Sequence, residues 1–344
     1  MSQLSDRQKI ILSLIVHEHT RTAQPVASKA LIEQYQLKIS SATVRNEMNL
    51  LEEMGFLRQP HTSAGRVPTE EGYRFFVGNL VQHTNLPLAT RNTIVHQFYQ
   101  SRKGLDHWLP LAASVLANQS QAVSIVTAPH SENVAFKHLE LIATRGSQVL
   151  MVLVLVGGEI QQQMITLEDL QSQEQLSQLA QQVNHLCEHR SLDQIEQLAF
   201  TGNATLNLVL EAVVEQLNLA NKLVTGEHYL DGFSYILREP EFTEFQTQNS
   251  PFRLLEERQM LDDLISRTVL SEEIGGVQVL IGGEGTWEEL QNCSFILTRY
   301  GVPDKLSGTL GVLGPMRMPY GRTISTVRYI AELMSGLVSD NLID

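Results

Sequence analysis

The segment from Ile39 to Thr69, ISSATVRNEMNLLEEMGFLRQPHTSAGRVPT, passes from helical to extended spacing within thirty-one residues. That limits what the N-terminal part of the chain can become. Ser40 and Ser41 each offer a hydroxyl oxygen to the unpaired N–H groups of a helix start, so the cap falls at one of them. Val44, Met48 and Leu51, with Met54 as a fourth candidate, then recur at helical spacing and define a buried stripe. Ser41, Ala42, Arg45, Asn46 and Asn49 are left on the outer face near the front of the helix, where donors and small groups suit a major groove. Gly55 supplies a left-handed stop, and Phe56-Leu57-Arg58 resumes in extended form. Pro60 to Pro68 reads as a polar hairpin tip, with Arg58, His61 and Arg66 spread along the hairpin. Such a tip can lie along phosphates or reach into a minor groove. The plainer reading of the same residues is a solvated helix followed by an ordinary hairpin.

The flanking segments favour the first reading. Ser5-Asp6-Arg7-Gln8 matches a capping box and opens a helix with Ile10, Ile11, Leu14 and Ile15 on one face, ending near His19. Pro25 marks a break, and a second helix over Ala27 to Tyr35 buries Leu31, Ile32 and Tyr35. Three helices followed by a hairpin give a winged helix-turn-helix order. Thr69 opens a further helix, packing through Tyr73, Phe76, Val77 and Leu80, and closes a unit expected over residues 1–85.

A net charge of −13 speaks at first against nucleic acid, because phosphate binding is driven by basic groups that release counterions. The distribution changes that argument. Residues 1–85 hold nine Lys/Arg and eight Asp/Glu, whereas the remainder holds sixteen and thirty. A balance of +1 in the first part is still weak, so DNA binding there has to depend on placed contacts and pairing of copies, not on a broad basic field.

A linker and helical connection are expected over 86–108, then a short helix from Leu109 to Asn118. Strand signals follow at 123–128, 136–144, 148–156 and 159–166, separated by Gly-containing turns, and read as an antiparallel meander. Its run VLMVLVLV reads as a strand covered on both faces. From Glu168 to Leu270 the chain turns mainly helical, with seams at Leu176, Leu179, Val183 and Leu186 and at Leu206, Leu210, Val213 and Leu217. A short extended piece is expected at Phe233 to Leu237. Strands return at 277–281, 293–298 and 309–313, before a last helix from about Ser325 to Val338. The expected fold class is α+β multidomain, with one domain in two parts, 109–167 and 273–344, interrupted by a largely helical insertion at 168–272. The insertion's own apolar seams make it the candidate for self-association.

Other functions find little support. The longest apolar run, Val149 to Val156, is eight residues, well short of the ~20 needed to cross a bilayer, so no membrane span is expected. The N-terminus lacks the basic flank and apolar stretch of a secretory signal. Cys187 and Cys293 lie far apart without metal spacing, as expected of reduced thiols in a cytoplasmic protein. Ile281 to Gly285 lacks the lysine of a P-loop and reads as a turn. In Gly311 to Met318 the only strong anion ligand is Arg317, and a tight connection beneath the last helix is preferred there over a ligand site. The histidines fall into no HExxH pattern, and Asp262 and Asp263 are adjacent on a helix and cannot share a site. No catalytic constellation, cofactor site or metal site is expected, and the chain does not read as an enzyme.

The stretches LSDRQKIIL, SSATVRNEMNLLEEMGFLRQPHTSAGRVPTEEGYRFFV and GTLGVLGPMRMPYGRTISTVRYI together resemble the HrcA family of heat-inducible transcription repressors. The resemblance implies a winged-helix DNA-binding domain, a GAF-like domain and a dimerising domain inserted into it. It also implies a homodimer on double-stranded DNA, at the inverted-repeat operator called CIRCE upstream of chaperonin and related heat-shock genes. A GroEL-type chaperonin is implied as modulator: it keeps the repressor active until heat-damaged proteins occupy it.

On this reading Arg45 and Asn46 face base edges or nearby phosphates, and Ser41 and Thr43 position phosphates. Arg58, His61, Thr62, Ser63 and Arg66 make the hairpin contacts. The competing reading is a winged helix used for protein contact, with the GAF-like domain sensing a metabolite. It predicts no sequence-specific DNA binding and a ligand that alters thermal stability.

Overall fold

The computed structural model describes residues 4–61, 64–81, 86–101, 104–131, 135–156, 158, 160–197, 204–222, 227–242, 251–269, 274–282, 287–303 and 305–342. Helix α1 (Asp6–Thr22) begins at the expected capping box: Ser5 Oγ accepts the Gln8 N–H at 3.3 Å, and Gln8 Oε1 accepts the Ser5 N–H at 2.9 Å. It runs past His19 and stops at Ala23, which takes a left-handed φ of 55°. Then come α2 (Ser28–Tyr35), α3 (Ser41–Glu53), β1 (Leu57–Arg58), β2 (Val67–Pro68) and α4 (Glu70–Asn79). Ile11, Leu12, Ile15, Leu31, Val44, Leu51 and Leu57 are fully buried together, and this removal of apolar surface from water holds the unit. Two side chains expected inside, Ile10 and Met54, are exposed, because the buried stripe of α1 runs through Ile11, Leu12, Ile15 and Val16, and Met54 caps α3 beyond its packed turns.

After α5 (Leu88–Gln100) and α6 (Leu105–Ser120) the chain lays down β3 (Val123–Thr127) and β4 (His130–Ser131). Strands β5 (Phe136–Ala143), β6 (Gln148–Leu155) and β7 (Ile160–Thr166) form a separate antiparallel sheet, followed by α7 (Gln173–Cys187), α8 (Leu192–Glu196) and α9 (Ala204–Lys222). The chain then returns through β8 (His228–Asp231), α10 (Phe233–Ile236), α11 (Pro251–Glu256), α12 (Arg258–Val269), β9 (Val277–Ile281), β10 (Cys293–Val302), β11 (Leu306–Pro315) and α13 (Tyr320–Leu342). The central sheet has the order β8-β3-β11-β10-β9, all neighbours antiparallel, with β4 added on β11. Its spine is the β10–β11 hairpin, in register from Cys293 opposite Pro315 to Val302 opposite Leu306.

Packing divides this α+β chain differently from the expected boundaries. One face of the central sheet, with Val126, Ile296, Tyr300, Leu310 and Val312, is covered by α6 and α13. The other, with Ile125, Phe295 and Leu297, is covered by Ile236, Leu254, Leu261, Leu264 and Ile265 from α10 to α12. Leu139, Leu141, Met151 and Leu153 of the three-stranded sheet instead share a core with Leu176, Val183, Val209, Val213 and Leu217. The insertion therefore runs from Phe136 to Lys222. Strands β5 to β7, expected in the first part of the interrupted domain, belong to the insertion, and α10 to α12, expected in the insertion, belong to the central domain. An alternating apolar pattern shows that a face is buried, not which partner buries it. The same point corrects the reading of β6: Val149, Met151, Leu153 and Leu155 are buried, but Leu150, Val152 and Val154 on the other face are only half-buried. The extended piece expected at Phe233 to Leu237 is the helix α10, and the strand lies just before it.

The N-terminal unit seats on one end of the central unit. An Arg74 Nη donates to the Ile281 carbonyl at 2.9 Å, and the Tyr73 and Tyr320 ring centroids lie 6.1 Å apart. Arg317, directly after β11, ion-pairs with Glu239 and Glu241 and donates to the Thr20 carbonyl at 3.5 Å. With two carboxylates against it, Arg317 serves as a structural clamp in a tight connection. Among the described residues no helix is long and apolar enough to cross a membrane.

Candidate nucleic-acid interface

The start of α3 sets the geometry of the site. Ser40 is the cap, its Oγ accepting the Thr43 N–H at 3.1 Å, and the Thr43 hydroxyl lies 2.9 Å from the same oxygen. Ser41 is thereby released from capping, and its hydroxyl sits 3.1 Å from Ser28 Oγ, bracing α3 against the first turn of α2. Arg45 and Asn46 lie one turn further on and are exposed. Free N–H groups at a helix start attract anions, so Ser41 and Thr43 stand at the electropositive end of α3.

Gly55, at φ +83°, turns the chain out of α3 into β1. The hairpin then folds back along the helix. Backbone hydrogen bonds of 2.8 and 2.9 Å between Val26 and Arg66 attach the segment before α2 to the hairpin through an isolated antiparallel bridge. A Cβ at position 65 would overlap the Val26 carbonyl, so this approach needs glycine. Glu52 reaches across from α3: its Oε1 accepts the Gln59 N–H at 3.1 Å, and its Oε2 lies 2.8 Å from Arg66 Nε. That contact is an ion pair. An Arg66 Nη donates to Asn49 Oδ1 at 2.9 Å. Arg66 thus lies against α3 with 15% of its side chain exposed, not stretched along the hairpin tip.

These elements enclose a groove of about 600 Å³, walled by Lys29 of α2, by Arg45, Met48 and Asn49 of α3, and by Gln59, Gly65 and Arg66 of the hairpin. Arg45 and Arg66 therefore meet in one concavity. Asn46 is exposed on the next position of α3, and His61 is exposed at the hairpin tip. Thr62 and Ser63 lie outside the described residues.

Arg58 is not brought to this groove. Strand alternation buries Leu57 and turns Arg58 to the far side of the hairpin. There it lines a second cleft of about 330 Å³ between the N-terminal and central units, with His19, Tyr73, Glu241 and Arg317. Lys29, by contrast, was not among the expected contacts. The signal was available: in a helix-turn-helix order the first turn of the helix before the outward one faces the same surface.

The second cleft is electrostatically distinctive. His19 Nδ1 lies 2.7 Å from the Tyr73 hydroxyl. Burial, reinforced by the charge of Arg317, lowers its imidazole to about 4, leaving it neutral near pH 7. Burial also raises the Tyr73 hydroxyl well above its ordinary range. Cys187 and Cys293 are buried, and burial pushes the Cys187 thiol up to about 11. Among the described residues no cluster of three His, Cys, Asp or Glu could hold a metal ion.

Comparison with known proteins matches residues 106–324 to the family described as HrcA protein C terminal domain. Over 98% of its length the chain is 43% identical to the heat-inducible transcription repressor HrcA of Roseiflexus sp. (strain RS-1), covering 96% of that protein. It is also 43% identical to the protein of that name from Chloroflexus aurantiacus, covering 98% of this chain and 94% of the other. A crystal structure described as a hypothetical protein at 2.2 Å resolution shares the fold, with a TM-score of 0.59 and 22% identity over 98% of this chain and 99% of that one.

Proposed function

This chain belongs to the HrcA family of heat-inducible transcription repressors, and from that premise we propose that it binds an inverted-repeat operator as a homodimer. The family is one of repressors, not of enzymes. In this reading the N-terminal unit is a winged helix: α3 enters the major groove with Arg45 and Asn46, and the hairpin follows the flanking backbone with His61, Thr62 and Ser63. Ser41 and Thr43 present the helix start to a phosphate, and Lys29 joins them from α2. Arg66 acts at the floor of the groove, and Arg58 is reserved for the side of the hairpin that faces the central unit.

What supports this most is the groove itself, where three cationic side chains from three separate elements, Lys29, Arg45 and Arg66, converge on one concavity. A net balance of +1 does not make a basic field, so convergence has to supply the affinity.

Dimerisation falls to the inserted unit. Opposite its core, the β5–β7 sheet presents Ile142, Leu150 and Met164 in one cross-strand row and Val154 beside Ile160 in another. Ile142, Met164 and Ile160 are 44%, 50% and 59% exposed, an apolar face of the kind that marks association. A twofold protein reads a twofold operator. The central unit, GAF-like in this reading, links the two functions. A GroEL-type chaperonin sustains repression in the cytoplasm, and heat stress releases it.

Footprinting of the DNA upstream of the host's chaperonin genes, at several salt concentrations and temperatures, tests the reading. The expected result is a protected inverted repeat, with affinity falling as salt rises. If no repeat is protected at any salt, the reading fails.

A further inference from the structure

Helix α5 joins the N-terminal unit to the central unit and has two apolar sides. Ile94 and Phe98 are buried, and the Arg91 guanidinium lies 5.2 Å from the centroid of the Tyr329 ring on α13. About a quarter-turn round the helix, a second stripe faces solvent. Leu88 is 75% exposed, Val95 44% and Tyr99 88%, and exposed Asn92 lies between them.

Positions 88, 92, 95 and 99 follow the 4-3-4 spacing of a coiled-coil seam, with Leu88 and Val95 at one core position and Asn92 and Tyr99 at the other. We propose that this stripe packs against the same stripe of a second copy, as a parallel, in-register two-helix contact close to the DNA-binding units. The proposal rests on the dimeric reading above and adds a second contact to it.

Three features select a second copy as the occupant. First, α5 contains no acidic residue, and its single Lys or Arg, Arg91, is engaged on the other side, so two copies meet without like-charge repulsion. Second, a lone Asn at a seam position satisfies its amide best against its own counterpart, and this happens only when two parallel helices are in register. Third, a parallel pair places both N-terminal units at the same end of the twofold axis, where both α3 helices can address one duplex. A stripe this short covers far less than the roughly 1,200 Å² of a stable interface, so it works together with the sheet face of the inserted unit.

The test uses full-length protein with Val95→Cys or Asn92→Cys, and Gln97→Cys as control, since Gln97 is exposed on the opposite side of α5. The native thiols are buried and do not compete. Light scattering gives the mass of each sample before mild oxidation. The expected result is a dimeric mass, with Val95→Cys and Asn92→Cys forming interchain disulfides at least tenfold faster than Gln97→Cys. A dimeric mass with no such preference overturns the α5 contact and leaves the dimer standing. A monomeric mass at micromolar concentration overturns both.

Discussion

Glu52, in the last turn of α3, and Arg66, on the returning arm of the hairpin, face each other at 2.8 Å. They lie fourteen positions apart, and with the Gln59 N–H on the other Glu52 oxygen they make α3 and the hairpin one body. This pair braces the hairpin against the last turn of α3.

Glu52→Gln and Arg66→Ala should therefore part company. Arg66→Ala removes the ion pair and Glu52→Gln removes its negative charge, at a cost of about 1 kcal/mol for a partly exposed pair. Only Arg66→Ala also removes a cation from the groove. Operator affinity measured by fluorescence anisotropy should fall clearly for Arg66→Ala and little for Glu52→Gln. Equal losses would mean that Arg66 acts only as a brace.

Arg45 and Lys29 should differ in kind. Arg45 sits on the outward face of α3, and its loss should cost roughly 1–3 kcal/mol on the operator and relax sequence preference. Lys29 is a flexible point charge at the groove edge, so Lys29→Ala should weaken operator and scrambled DNA alike and flatten the salt dependence. Unchanged affinity and preference for Arg45→Ala would remove Arg45 from the interface.

Gly65→Ala should damage the N-terminal unit by displacing the Val26 segment. Overpacking of this kind costs about 1–3 kcal/mol, visible as a lower thermal midpoint and weaker binding to every DNA. Gly78→Ala is a suitable comparison, because Gly78 lies within α4 with open space around its Cα. A midpoint for Gly65→Ala no lower than that of Gly78→Ala would contradict the close approach.

Acidification should loosen the seat of the N-terminal unit. His19 has its imidazole lowered from an ordinary 6.5 to about 4 by burial and by Arg317, with Arg58 acting the same way and Glu241 opposing. The folded protein thus binds fewer protons than the unfolded chain between those values. The contribution of His19 to stability is complete above pH 6.5 and is lost as pH falls toward 4. Thermal midpoints recorded from pH 7.5 down to about pH 4.5 should fall more steeply for the wild type than for His19→Gln. Parallel curves would rule this coupling out.

Much of the molecule is legible in the order of its residues. The capping box at Ser5, the Gly55 stop and the stripe Val44, Met48 and Leu51 depend on groups within one or two turns of each other, and the folded chain has them as read. Most strand positions are equally legible, because turn glycines and alternation are local signals; β8 is not, and the extended piece read at Phe233 is a helix. The groove is legible only in part. Arg45 and Asn46 are visible as an outward face, whereas Lys29 enters because α2 packs beside α3, and Arg58 leaves because the hairpin turns it toward Arg317.

The sequence by itself determined the order of most helices and strands, and which side of most of them is apolar, because backbone capping and side-chain periodicity act over three or four residues. Only the tertiary structure decided which apolar sides meet. It assigned β5 to β7 to the inserted unit and α10 to α12 to the central sheet. It also drew Arg66 down onto Glu52 and fastened Arg74 to the carbonyl of Ile281. Such contacts join residues far apart in the chain, and they are chosen by shape and charge at surfaces that exist only once the units have folded.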